Sequence, residues 1–237
     1  MPLFTGKKKK EYVHDKFSAV SAKYDLLNSL LSGYVDHYWR WQAARELAAY
    51  PQGPVLDLCA GTLPLSVEVA RQIPRPVIAV DFCYDMLAFG RNSISSGNEA
   101  PAIWPVCGDG EGLPFPDATF QGITVAFGVR NLGNLEKGLS EMRRVLMSGG
   151  KLVVLEFSRP SNPVFAPLYR WYLHNILPVI GGMISGDRDA YQYLAESIEA
   201  FPAPEQVAAL MDKTGYRQIR YRPMTMGVVT LYTGLAS

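Results

Sequence analysis

The sequence predicts an α/β fold with a mostly parallel sheet, on three observations. Val55-Leu56-Asp57-Leu58 is a short apolar run that carries an acid and meets a glycine, Gly61. A helical pattern follows at once, from Leu65 to Ile73. A second apolar run, Val77-Ile78-Ala79-Val80, then ends in another acid, Asp81. Strand, glycine turn, helix, and a strand with a terminal acid form the opening of a nucleotide-binding α/β unit. The turn brings backbone amides to the ligand, and the second acid accepts hydrogen bonds from ribose hydroxyls.

The elements can be justified in order. The run Lys7-Lys8-Lys9-Lys10 reads as a solvated, self-repelling tail with some attraction to an anionic membrane surface. From Tyr12 to Tyr50 the pattern is helical, so residues 1–50 are read as a tail and a helical cap. Residues 51–158 make the core. Its strands are expected at Pro54–Leu58, Val77–Asp81, Ala102–Cys107, Gly122–Phe127 and Lys151–Phe157, with a helix at Leu135–Leu146 carrying Leu139, Met142, Val145 and Leu146 on one stripe. The fourth strand is apolar on both faces, as a central parallel strand should be. Residues 159–200 are read as an inserted lid. Pro160, Pro163, Pro167, Pro178, Gly181 and Gly182 break it too often for a regular core helix. Its apolar side chains, from Phe165 to Ile184, suit core packing or a greasy flap. Residues 201–237 add a helix and two strands that complete a seven-stranded sheet within one domain.

Bulk properties narrow the classes. The 237 residues carry a net charge of +1, which gives no sign of nucleic-acid binding. The three cysteines, Cys59, Cys83 and Cys107, have no paired spacing, so a reduced protein is expected. They follow three strands and are read as small buried residues; no metal is expected. No secretory leader and no spanning helix are read, so the expected location is cytoplasmic, with peripheral contact at the inner face of the membrane. The oligomeric state is not legible.

Two nucleotide-binding chemistries open this way. A dinucleotide-binding dehydrogenase needs G-x-G-x-x-G after the first strand, and only Gly61 is present. Asp109, in Gly108-Asp109-Gly110-Glu111 after the third strand, can accept the amine of an adenine. A closing helix and hairpin suit a methyltransferase sheet. These features favour a class I methyltransferase.

The chain resembles the ubiquinone/menaquinone C-methyltransferase family, whose members methylate a ring carbon of a prenylated quinol. The likeness runs from about Val13 to Gly234. It is carried by Lys23-Tyr24-Asp25-Leu26-Leu27-Asn28-Ser29-Leu30-Leu31-Ser32 with Trp39, by Leu113-Pro114-Phe115-Pro116-Asp117, and by Phe127-Gly128-Val129-Arg130-Asn131. Arg144-Val145-Leu146, Gly149-Gly150-Lys151-Leu152-Val153-Val154-Leu155-Glu156-Phe157-Ser158 and Tyr191-Gln192-Tyr193-Leu194-Ala195-Glu196-Ser197-Ile198 extend it.

The resemblance implies a seven-stranded Rossmann-like fold and S-adenosylmethionine as cofactor. It implies cofactor contacts at Thr62, Asp81, Asp109 and Gly110, with Asp57 and Gly61 completing the turn, Met86 against the adenine and Ala126 where the family often has serine. The implied reaction is methylation of demethylmenaquinol to menaquinol, a lipophilic substrate. The alternatives are another lipophilic or small-molecule acceptor, or a binding subunit without turnover. Arg130 is the first catalytic candidate, as a cation beside a phenolate, and Asn131 would orient the same group. Tyr24, Asp25, Tyr193 and Glu196 are the substrate candidates. His174 reads as a satisfied side chain, not a base.

The chain departs from the family at the first turn, where Gly61-Thr62-Leu63-Pro64 stands for Gly-Thr-Gly-Asp. Leu63 is expected to put a side chain where bare backbone meets the ligand. Asp36 stands where the first signature has histidine. Met147 and Ser148 replace Lys-Pro.

Overall fold

The computed structural model describes residues 6, 9, 12–13, 29, 32–49, 53–73, 75–94 and 102–237. Much of the predicted 12–50 cap, including Tyr24 and Asp25, lies outside them. Within the described residues the chain runs α1 (Val35–Ala48), β1 (Val55–Leu58), α2 (Pro64–Gln72), β2 (Val77–Asp81), α3 (Tyr84–Ile94), β3 (Ile103–Cys107) and β4 (Phe120–Ala126). It continues through α4 (Leu135–Val145), β5 (Leu146–Phe157), α5 (Phe165–Trp171), a π-helical turn at Tyr172–Ile176, α6 (Leu177–Ser185) and α7 (Arg188–Ala200). It closes with α8 (Pro204–Lys213), β6 (Tyr216–Met224) and β7 (Val229–Ala236).

The seven strands form one sheet in the order β3-β2-β1-β4-β5-β7-β6. β7 runs antiparallel to both β5 and β6, and the other pairs are parallel. The order reverses between β1 and β4, and at such a reversal the helices diverge and leave a crevice at the strands' carboxyl ends. Both faces are covered. Leu56, Leu58, Ile123 and Val125 pack under Leu139, Met142 and Val145 of α4. Val55, Val153 and Leu155 pack under Trp39, Ala43 and Leu47 of α1 and Val69 of α2.

Local chemistry explains the boundaries. Asn134 caps α4 by accepting from the Lys137 amide at 3.0 Å, so the helix starts with one fewer open donor. Arg144, near the other end of α4, donates to the carbonyls of Leu113 and Phe115 and to Asp117. Two sequence motifs far apart in the chain are thus one physical unit, the arginine pinning the two-proline turn.

The 159–200 segment differs from expectation. It is helical from Phe165 to Ser185 with only a π turn inside. Pro167 lies in the first turn of α5, where a missing amide hydrogen breaks nothing, and Pro178 is the second residue of α6, directly after the π-helical turn. Gly181 is a packing position, since a Cβ there would stand 2.4 Å from the Tyr191 ring of α7.

The lysine tail also differs at the one lysine described. Lys9 Nζ donates to the carbonyls of Arg130 at 2.6 Å and Leu132 at 2.9 Å. Burial, followed by the nearby Arg130 charge, lowers its pKa.

Candidate active site

The carboxyl ends of β1, β2 and β4 surround a cavity of about 610 Å³, mouth included, bordered also by α1 and by Val13. Asp57, Gly61, Thr62, Asp81, Met86, Ala126 and Asn131 all line it. Arg40, Cys59, Phe82 and Phe127 line it as well. The backbone at this edge is bent hard. Cys59, Leu63 and Phe127 hold φ values of 57°, 73° and 58°, a conformation that costs a side-chain-bearing residue about 1–3 kcal/mol and clusters at functional sites.

Asp81 is fixed before any ligand arrives. Its Oδ2 accepts from the Gly61 amide at 2.8 Å, and its Oδ1 accepts from the Cys83 amide at 2.8 Å. The acid therefore ties the β1 turn to the start of α3 and presents its outer edge to the cavity.

Asp57 is 1 % exposed. Its Oδ2 accepts from the Ser66 hydroxyl at 2.5 Å, while Oδ1 has no hydrogen-bond partner in the protein. Burial, only partly offset by the Ser66 bond, pushes its pKa up to about 7, and the Asp81 charge adds to the rise. A buried carboxylate oxygen without a donor costs free energy unless a cation or donor meets it.

The Leu63 expectation is corrected. Its side chain is fully buried with Ala60, Ala79 and Leu87, turned away from the ligand crevice. Room for the turn comes from α3, because a Cβ on Gly90 would stand 2.5 Å from the Thr62 carbonyl oxygen and 2.9 Å from Leu63 Cγ. Pro64 does border the cavity.

Asp109 and Gly110 do not border the cavity. Asp109 is exposed and accepts from the Glu111 amide at 2.9 Å. Gly110 is buried against Leu58 and Leu132.

Arg130 follows β4 and is buried. Its Nη1 donates to Glu156 Oε1 at 2.8 Å and to the Phe127 carbonyl, and its amide donates to Glu156 Oε2 at 3.1 Å. The guanidinium sits 5.3 Å from the Phe157 ring centroid. Its charge is thus matched by a carboxylate with no solvent exposure. Next to it in sequence, Asn131 accepts through Oδ1 from the Tyr193 hydroxyl at 3.2 Å. Burial raises the Tyr193 phenol to about 12, so it stays a donor at neutral pH. The ring of Tyr12 lies 5.2 Å from that of Tyr193. Glu196 is outside the cavity and accepts from Gln192 at 3.1 Å. His174 pairs with Glu199 at 3.0 Å. Among the described residues no cluster of three or more potential metal ligands occurs.

Arg40, Lys9 and Val13 were not among the sequence candidates. Arg40 stands four residues after Asp36, which reads as an ordinary helix-surface pair; only its place beside the apolar Trp39 hinted at burial.

The profile of the ubiE/COQ5 methyltransferase family matches residues 5–236. The chain belongs to that family. It is 42% identical over 228 residues, 95% of this chain and 89% of the relative, to the ubiquinone/menaquinone biosynthesis C-methyltransferase UbiE of Geobacter sulfurreducens. It is 40% identical to the demethylmenaquinone methyltransferase of Deinococcus radiodurans, covering 98% of this chain and 96% of that one. A solved SAM-dependent methyltransferase from Thermotoga maritima shares the fold, with a TM-score of 0.64 at 16% identity over 94% of this chain and 99% of the other.

As a family member the chain is a methyltransferase that uses S-adenosylmethionine. The cavity fits that group. Asp81 sits at the end of β2 beside Met86, where a nucleoside would meet an acid and an apolar face. Asp57 Oδ1 is an acceptor with nothing to accept from in the protein. The cofactor, when bound, supplies an electrophilic methyl on a sulfonium.

Proposed function

We propose that the chain transfers a methyl group to a ring carbon of a prenylated quinol, with demethylmenaquinol as the acceptor. The observation that carries this is the Tyr193–Asn131 hydrogen bond beside the buried Arg130–Glu156 pair, where Asn131 also borders the cofactor cavity. A quinol carbon becomes nucleophilic as the neighbouring hydroxyl loses its proton and charge spreads into the ring. The Asn131 side-chain N–H can donate to that oxygen, its amide oriented by the Tyr193 hydroxyl that donates to Oδ1. The Arg130 cation lowers the energy of negative charge nearby, damped by its partner Glu156. Orientation supplies much of the rest, since methyl transfer is an in-line displacement.

The relatives' names support a quinone-pathway acceptor. An apolar face supports the lipophilic tail. Val164, just before α5, and Leu168, Trp171 and Met183 along α5 and α6 are 84, 60, 55 and 82 % exposed. That face gives the isoprenoid tail a path from a lipid surface and the protein a peripheral contact with it. Among the described residues no helix is long and apolar enough to cross a membrane.

The test is mass spectrometry of cellular quinones after deletion of the coding sequence. The expected result is a naphthoquinone pool one methyl lighter, restored by the wild-type chain. An unchanged quinone pool refutes the assignment. A benzoquinone pool one methyl lighter moves it to that ring. Purified enzyme should methylate the reduced acceptor and not the oxidised one. Replacing Leu168, Trp171 and Met183 by serine should raise KM for tailed acceptors and spare a tailless one.

A further inference from the structure

The turn that carries Arg130 and Asn131 is held from a distant part of the chain, by a side chain with no part yet in the reaction. Val129–Asn131 forms a single 3₁₀ turn. Within it the Asn131 amide donates to the Gly128 carbonyl at 3.0 Å, and the Leu132 amide donates to the Val129 carbonyl at 3.3 Å. The Arg130 amide donates to Glu156 Oε2 at 3.1 Å. A turn this short leaves its last carbonyls without helical partners. Lys9 Nζ meets two of them, the Arg130 carbonyl at 2.6 Å and the Leu132 carbonyl at 2.9 Å. The peptide plane between Arg130 and Asn131 is thus pinned at both edges, by Gly128 on one and by Lys9 on the other. Burial and the Arg130 charge oppose the ammonium, while the Glu111 and Glu156 carboxylates favour it. Two near neighbours of Lys9 in the sequence reach the same region. The Tyr12 ring lies 5.2 Å from that of Tyr193, and the buried Val13 borders the cofactor cavity.

We propose that Lys9 is a positioning residue for methyl transfer, gripping the turn by the Arg130 and Leu132 carbonyls and so fixing the angle at which Asn131 presents its side-chain N–H to the quinol oxygen. The inference rests on the proposed quinol acceptor. The Asn131 side chain is set at two points. Its outer end is fixed by Oδ1, which accepts from the Tyr193 hydroxyl at 3.2 Å. Its root is fixed by the turn, and Lys9 is the contact that holds the carbonyl edge of that turn. Without it the plane before Asn131 keeps only its amide-edge bond and can tilt. A shift of about 1 Å in a positioning group costs about 10²-fold in rate. An ammonium suits the place, because it has three N–H donors, no acceptor, and a single nitrogen that can meet two carbonyls at once. Lys9 touches backbone alone in this role and acts on the acceptor through Asn131.

Measurements on the full chain separate this role from plain structural support. In hydrogen exchange read by mass spectrometry, Lys9→Met should speed exchange about tenfold in peptides covering residues 128–134 and leave those of β1 within about twofold. In turnover of reduced demethylmenaquinol, Lys9→Met should lower kcat about ten- to hundredfold, while calorimetric affinity for S-adenosylhomocysteine stays within about twofold. Lys9→Arg, which keeps charged donors for both carbonyls, should hold kcat within about threefold of the wild type. In an Asn131→Ala background, read by single turnover, Lys9→Met should change the rate by less than about twofold, because the group it aims is gone. Additive losses in the double variant, unchanged exchange at the turn, or equal losses in kcat and cofactor affinity overturn the proposal. Lys9→Gln, which keeps a donor without the charge, carries the same comparisons if Lys9→Met does not fold. A wild type that methylates no reduced quinol overturns the quinol reading instead, and the exchange measurement, which needs no acceptor, still decides whether Lys9 holds the turn.

Discussion

Replacing Asp57 by asparagine should stabilise the ligand-free protein above pH 7 and destabilise it by about 1–2 kcal/mol near pH 4. The carboxyl is 1 % exposed, its Oδ1 is unpartnered, and burial raises its pKa from 3.8 to about 7. A folded pKa above the unfolded one means that folding favours the protonated form. Stability linked to this group is therefore fully present below pH 3.8, declines between 3.8 and about 7, and is flat above. Three units at 1.36 kcal/mol each set an upper bound of about 4 kcal/mol. Asparagine removes the charge but leaves an amide facing the same space, which returns about 1–2 kcal/mol of cost. The net gain is about 2–3 kcal/mol at pH 8.5, or roughly 4–12 °C in Tm for a chain of this size. Circular-dichroism melts of both proteins from pH 4 to 9 at constant ionic strength measure it. The variant's Tm should lie below the wild type's near pH 4 and above it at pH 8.5, so the two curves cross as pH rises. Parallel curves would refute the argument, because they would mean that Asp57 titrates alike in folded and unfolded chains. The same substitution should weaken S-adenosylmethionine binding, so stability and affinity move in opposite directions.

Other perturbations follow from single contacts. Leu63→Gly should relieve about 1 kcal/mol of backbone strain but open a cavity worth about 2–5 kcal/mol, for a net loss of about 1–4 kcal/mol in urea denaturation. Gly90→Ala should destabilise the fold and weaken cofactor binding together, because the new methyl would stand 2.5 Å from the Thr62 carbonyl oxygen. Arg130→Met should cost about 3–5 kcal/mol by leaving Glu156 buried and unpaired. Arg130→Met with Glu156→Gln should recover much of that stability, and if methyl transfer stays lost in the double variant, the arginine acts on the substrate as well as on the fold. Tyr193→Phe should fold normally and lose turnover on quinols while keeping cofactor affinity, read as separate titrations.

Much of the core was legible because parallel strands buried on both faces are written as unbroken apolar runs. Leu56, Leu58, Ile123 and Val125 advertise β1 and β4, and the acids Asp57 and Asp81 lie at the carboxyl ends of β1 and β2. What was not legible needed three dimensions. Pro167 and Pro178 read as breaks along a line, yet Pro167 sits in the first turn of α5 and Pro178 directly after the π-helical turn, and the segment stays helical. Arg40 and Asp36 are four residues apart on α1, and that spacing says nothing about which face of the helix is covered. Lys9 reads as one of four repelling charges, and only the folded chain brings it to the carbonyls of Arg130 and Leu132.

The turn after β1 shows how a departure from a family pattern can be absorbed. A glycine is expected at position 63 because the backbone there is left-handed, and Leu63 adopts that conformation at φ 73°. Strain of this kind persists only if something else over-determines it. Three things do so. The leucine side chain is fully buried with Ala60, Ala79 and Leu87, which contributes about 2–3 kcal/mol by burial. Pro64 restricts the next residue to the φ of a helix start. Gly90 leaves the gap into which Thr62 and Leu63 fit. The bare backbone that a glycine would provide at the turn is thus matched by a bare position on the facing helix, and the ligand side of the crevice stays open. On this account a side chain at 90 should harm the turn more than one at 63 does, and a Leu63→Gly chain should tolerate Gly90→Ala better than the wild type. Urea denaturation of the two single variants and the double variant measures the coupling. Strict additivity would mean that Leu63 and Gly90 do not compensate each other.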